Sequence, residues 1–454
     1  MNKNEAYRDL MRISESAFEH NMDAILNEFF FFCTFSKGLP SQDFLYRKLV
    51  GNPYSKYPVL QAIYKGFESY IRTLLRFVLS RIIPKGPFIT GKIESTTNVL
   101  IVTWLLDAGI LPNNRIDTED KYFGSLGARL KDQGHTIQYI LFPVAKQIAN
   151  NAMNTPNMNK NLLIYGRHVQ PSIDDLTSSL YSISKSFSFD MRIDERISYV
   201  TGFHSPRYII SRQLCKILAN KFKESNVHHI IIPWEGHPEQ KAICLAAHSA
   251  GIKVWGYCHA AINGSYVHLI NNNWVWCPDI MLVNGFGYLP LLEDMGWKDK
   301  IRVIRSLRYQ NPPDRKTFAG KVFLPYDIED SIATIKELKS MINNKDFAIK
   351  EIRCHPLNAK NQKLRALMDE IPKKQDAKGI YVGGFTSVLF EALQAGCTVY
   401  NIQTDSLCSE DAYHKFNNIR ITRLTKKLLK FEPVGDMENY FYCFDESRSF
   451  NLSI

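Results

Sequence analysis

Short apolar runs alternate with amphipathic helical patterns along most of this chain, and that alternation predicts an α/β protein. Val99-Leu100-Ile101-Val102-Thr103 is apolar nearly throughout, as expected of a strand buried on both faces. A polar loop over 112–120 follows. Residues 122–132 then predict a helix stopped by Gly134, and 136–142 a second strand. Residues 162–166 predict a further strand. The rhythm is clearest from His229 onward. His229–Pro233 predicts a strand, 238–250 a helix ended by Gly251, and 253–257 and 279–283 two more strands. A helix ending near Gly296 and a strand over 301–304 complete this part.

Asn311-Pro312-Pro313-Asp314 interrupts the pattern, because two prolines resist both helix and inner strand. The pattern then restarts. Residues 321–324, 348–354, 378–382 and 398–402 predict strands, and 331–343 and 388–395 predict helices. Four regions follow: a helical N-terminal region (1–90), a first α/β unit (91–312), a second (313–425) and a C-terminal tail (426–454).

Between Pro58 and Pro84 the pattern is purely helical. Leu60, Ile63, Phe67, Ile71, Leu74, Leu75, Val78 and Ile82 recur at helical spacing, interleaved with Lys65, Arg72, Arg76, Arg81 and Lys85. Two readings stay open for it. It packs on its own domain with solvated cations, or it lies as a basic amphipathic helix on an anionic membrane.

Length and composition add bounds. The chain has 454 residues, enough for more than one domain, and 45% are hydrophobic, which argues against wholesale disorder. The net charge of +11 suits either an acidic partner or a basic surface without one. Nine cysteines, scattered from Cys33 to Cys443, form no CxxC pair and no zinc spacing, which fits a reducing compartment. The polar N-terminus lacks a signal-peptide pattern and no run of 18 or more apolar residues occurs. The expected location is cytoplasmic, with the inner face of the cytoplasmic membrane as an alternative. No phosphate loop, GxSxG elbow, HExxH or RNA-binding motif is present, and nucleic acid is not expected as a partner.

Parallel sheets bind ligands at the carboxyl ends of their strands, and four polar clusters fall there. Glu235 follows the strand 229–233, where a carboxylate can accept a proton from a hydroxyl. His259 follows the strand ending at Tyr257. Arg353-Cys354-His355-Pro356 ends a strand of the second unit, with His355 able to donate to a phosphate and Pro356 fixing the turn. Arg353 either points the same way or is taken up by a salt bridge. Gly383-Gly384-Phe385-Thr386-Ser387 opens the helix that carries Glu391. Its glycines permit a tight turn, its amides and hydroxyls suit an anion or a helix cap, and Glu391 suits ribose hydroxyls.

Glu235-Gly236, His355-Pro356 and Thr386-Ser387, in that order, resemble the [DE][DE]G, HP and Ser-Ser/Thr motifs of bacterial sialyltransferases and polysialyltransferases of the GT-B fold. The segment 233–259 with 304–309 is similar to bacterial capsule and O-antigen transferases, including those for Kdo, pseudaminic and legionaminic acids. The resemblance covers roughly residues 95 to 425. It implies two Rossmann-like domains facing a cleft, the first on the acceptor side and the second holding the donor. It also implies a CMP-activated ulosonic acid donor, a surface glycan or lipid-linked glycan acceptor and no metal cofactor. Glu235 would be the general base of an inverting transfer, and His355 the phosphate contact that assists departure of CMP. Thr386 and Ser387 would bind the same phosphate, and Glu391 the ribose. Arg308 and His259 are further candidates for the donor carboxylate. Two positions depart from the pattern: Trp234 replaces the paired acid, and Thr-Ser replaces Ser-Ser. Three other readings stay open: a transferase using a UDP-, GDP- or TDP-sugar, a hydrolysing nucleotide-sugar epimerase, and a non-catalytic glycan-binding protein of the envelope.

Overall fold

The computed structural model describes residues 58–82, 88–106, 108–110, 115–144, 146–153, 160–165, 169–188, 196, 199–200, 206–262, 269, 275–342, 348–355, 358–384, 386–404 and 413–452. Predictions for residues 1–57, the turn proline Pro356 and Lys85 lie outside them.

The first sheet has eight strands: β1 (Ile89–Thr90), β2 (Val99–Leu105), β3 (Ile137–Pro143), β4 (Leu162–Ile164), β5 (His229–Pro233), β6 (Lys253–Cys258), β7 (Ile280–Val283) and β8 (Ile301–Val303). Their order is β1-β4-β3-β2-β5-β6-β7-β8, all parallel except the edge pair β1–β4. From β2 the chain winds outward through β3 and β4, then returns to place β5 on the other side. That reversal is the switch point at which a doubly wound sheet opens a crevice. Alternation within strands explains the two covered faces. Leu100 and Val102 join one core cluster with Ile230 and Ile232, whereas Val99 and Ile101 join another with Ile231.

The second sheet has β9 (Lys321–Phe323), β10 (Glu351–Arg353), β11 (Tyr381–Gly383), β12 (Val399–Ile402), β13 (Ile419–Thr425) and β14 (Leu428–Pro433). Their order is β10-β9-β11-β12-β14-β13, parallel through β12 and closed by an antiparallel hairpin. Its own switch point lies between β9 and β11. The molecule is therefore an α/β protein of two Rossmann-like sheets, separated in sequence by the double-proline segment.

The second sheet does not stop at residue 425. β14 pairs with β12, so the hairpin carries the unit on to Pro433. Beyond it the tail returns to the first unit. The Phe286 and Gly287 amides donate to Asn439 and Tyr440, and Phe450 packs edge-on against Trp255 at 5.5 Å. A buried aromatic group joins the units: Phe390 of the second meets Tyr288 of the first and Phe441 of the tail.

The region before the helix 126–132 differs from its prediction. Ile116–Glu119 is helical, and the second helix starts only at Leu126. Asp120 causes the break. Its carboxylate accepts the Tyr122 and Phe123 amides at 2.7 and 2.8 Å, holding the chain in a turn. Tyr122 thereby leaves the helix and faces the strand tips.

Candidate active site at the strand tips

The loop after β5 is fixed by one buried side chain. Gln240, one turn into the helix Pro238–His248, accepts from the Glu235 and His237 amides at 2.9 and 3.0 Å and donates to the Pro233 carbonyl. Gly236 sits at φ 72°, in the left-handed region that a side chain would strain. Together these turn Glu235 outward at the first switch point. Its carboxylate meets two imidazoles: His237 Nε2 at 2.9 Å and His259 Nε2 at 3.5 Å. His259 stands at the tip of β6 with Tyr122 edge-on against it at 4.6 Å.

The electrostatics of this group are coherent. Burial, with help from Arg308 and His237, holds the His259 pKa below the usual imidazole value against the opposing pull of Glu235. The ring is therefore predominantly neutral at pH 7. Its Nδ1 is buried without a partner among the described residues. Burial and the nearby Glu235 and Asp120 charges raise the Tyr122 pKa, so it remains a phenol able to donate.

Arg308 lies on the segment leading out of β8, and tertiary contacts hold that segment. The Leu307 amide donates to the Tyr257 hydroxyl at 3.2 Å, and the Ser306 amide donates to the Cys443 carbonyl of the tail at 2.8 Å. Arg305 N donates to the Arg448 carbonyl at 3.0 Å, and Tyr309 packs edge-on against Tyr442. Arg308 itself is exposed. Its positive charge lowers the pKa of His259 in the first unit and, second to burial, that of His355 in the second.

In the second unit His355 follows β10, with Tyr326 edge-on at 5.1 Å. Arg353 is exposed and paired with Glu351 at 2.8 Å, the salt-bridge alternative. Gly383, at the tip of β11, is required by packing, because a Cβ there would overlap the Thr334 side chain of the helix Ile328–Ile342. The Gly384 amide is not free for an anion. It donates to Ile402 at 2.9 Å, while the Gly384 carbonyl accepts from buried Asn401. Ser387 makes no side-chain cap on the helix Val388–Gln394. Its hydroxyl donates to Glu391 Oε1 at 3.2 Å, and the same oxygen accepts from the Tyr309 hydroxyl at 2.9 Å. This ties the second unit to the Arg308 segment.

Of the residues singled out in sequence, Glu235 and His259 are in contact, as are Ser387 and Glu391. Arg308 acts electrostatically on both halves. Thr386 lies in the same turn as Gly384 and is half-buried. Sequence reading missed Tyr122, His237, Gln240 and Tyr309. Gln240 had a signal, since it sits three residues after His237 at a helix start, the capping-box spacing. Thr404 was also missed. Its buried hydroxyl has no partner among the described residues and lies 3.5 Å from where a Gly384 Cβ would stand.

No family model and no curated protein matches the chain. Among solved structures it is similar to the crystal structure of a glycosyltransferase from Rickettsia africae ESF-5, at 13% identity and a TM-score of 0.33, over 69% of this chain and 80% of that one.

Proposed function

We propose that the chain is a glycosyltransferase that moves a ulosonic acid from a CMP-activated donor to a glycan hydroxyl. The observation that carries the reading is the partly exposed Glu235 carboxylate at the first switch point, 2.9 Å from His237 and 3.5 Å from His259, with Arg308 a nearby cation whose charge reaches both His259 and His355. A donor that is itself a carboxylate and leaves as a phosphate presents negative charge on both sides of such a cation. Glu235 takes the proton from the acceptor hydroxyl as its oxygen bonds to the anomeric carbon. The bond from that carbon to the phosphate oxygen breaks, and CMP departs with the electron pair. Arg308 and His259 meet the donor carboxylate, while His355, Thr386 and Ser387 meet the phosphate.

Glu391 has a supporting role in this reading. Its Oε1 already orients Tyr309 and Ser387. Contact with the ribose would therefore use its other oxygen.

The reading is tested by incubating the protein with CMP-activated ulosonic acids, and separately with UDP-, GDP- and TDP-sugars, with and without glycan acceptors. Acceptor-dependent release of CMP is expected. Turnover of a UDP-sugar with no response to CMP donors overturns the donor class, and nucleotide release independent of acceptor points to hydrolysis instead.

A further inference from the structure

The helix Pro58–Ile82 is mounted with its apolar side outward. It packs on the helix Ile173–Lys185 through small and polar residues at seven-residue spacing: Gly66, Thr73 and Ser80 are buried, and Gly66 lies against Ile183. The opposite face carries Leu60, Ile63, Phe67, Leu75, Val78 and Ile82, all exposed, with Phe67 at 65% and Ile82 at 69%. A helix that only completed its own domain would turn these residues inward. An exposed apolar row of this length marks a surface that is covered by something else.

The charge around it selects the cover. Arg72 and Arg81 are exposed on the same helix, and Arg81 lies over the Phe77 ring at 5.0 Å. Arginines flanking an apolar face, one of them over an aromatic ring, suit the boundary between acyl chains and anionic headgroups. Arg72 also pairs with Glu68 at 2.6 Å, so one rim charge is partly compensated. Among the described residues no helix is long and apolar enough to cross a membrane. We infer that this helix lies in the plane of an anionic lipid surface, with the row from Leu60 to Ile82 in the acyl boundary and the arginines at the headgroups.

Sedimentation of the full chain with phosphatidylcholine vesicles, with and without phosphatidylglycerol, tests this. Wild type is expected to pellet with the anionic vesicles and to be released progressively by salt. Arg72→Glu with Arg81→Glu should weaken partitioning at least about tenfold, and Phe67→Glu with Leu75→Glu should abolish it, whereas Leu424→Glu on β13 should leave it unchanged. Circular dichroism matching wild type establishes that each variant is folded. Wild type that fails to pellet, or pellets equally with both lipids and with both double variants, overturns the inference. So does a dimer in analytical ultracentrifugation that Phe67→Glu dissociates without any vesicle binding, which would assign the face to a second copy.

Discussion

At the tip of β5 a carboxylate is held by two imidazoles with a phenol nearby. In the second unit the tip of β10 offers a histidine and the turn after β11 offers hydroxyls, with Glu391 committed internally to Ser387 and Tyr309. The first group can move a proton, because Glu235 is partly exposed beside neutral His259. In the proposed reading the second meets the phosphate through His355, Thr386 and Ser387. Arg308 is the element common to both. The contrast teaches that similar switch points in two Rossmann-like sheets take on different chemistry from the few side chains placed just past each strand.

The largest effect should come from removing the base. Glu235→Gln is expected to lower kcat/KM by about 10²- to 10⁴-fold with folding unchanged, measured as acceptor-dependent release of CMP. A variant within a few-fold of wild type would remove Glu235 from the chemistry and dissolve the contrast between the halves. Next is Arg308→Met, which should cost roughly 10- to 100-fold in kcat/KM, as for a lost charge-assisted contact. It should also raise the pKa values of His259 and His355 together, because a nearby positive charge has gone. Imidazole titration by NMR reads both rings. Movement of only one would show that Arg308 belongs to that half alone.

The third prediction concerns stability. Gly383→Ala forces a methyl group into Thr334 and should destabilise the fold by about 1–3 kcal/mol in denaturant titrations. Thr334→Ala in the same chain should recover part of that loss. If Gly383→Ala is neutral, the close approach at β11 is not what holds this turn.

The smallest effect is a pH dependence. The folded-state pKa of His259 lies below its unfolded value, so the unfolded chain takes up its proton first as pH falls. The contribution of this residue is complete above about pH 6.5 and is lost below it, at up to about 1.4 kcal/mol per pH unit. The stability difference between wild type and His259→Asn should therefore shrink on acidification from pH 7. A difference that is flat or grows means that His259 is charged in the folded protein.

Much of this was legible in the order of residues. β5 spans the predicted residues, the double-proline break separates the two sheets, and the polar clusters follow strands in both. Period-two and period-3.6 patterns record burial directly, so strands and helices can be read without knowing their neighbours. Hydroxyls, amides and charges carry no such record of their partners. Whether Arg353 reaches a ligand or Glu351, whether Ser387 caps its helix or donates to Glu391, and whether the Gly384 amide is free are decided by which element arrives opposite. The same holds for Tyr122, which only the Asp120 turn brings to His259, and for Arg308, whose segment is held by Tyr257 and the returning tail. The helix Pro58–Ile82 is the sharpest case. Its periodicity announced an amphipathic helix, but only packing through Gly66 against Ile183 decided that the apolar side would face outward.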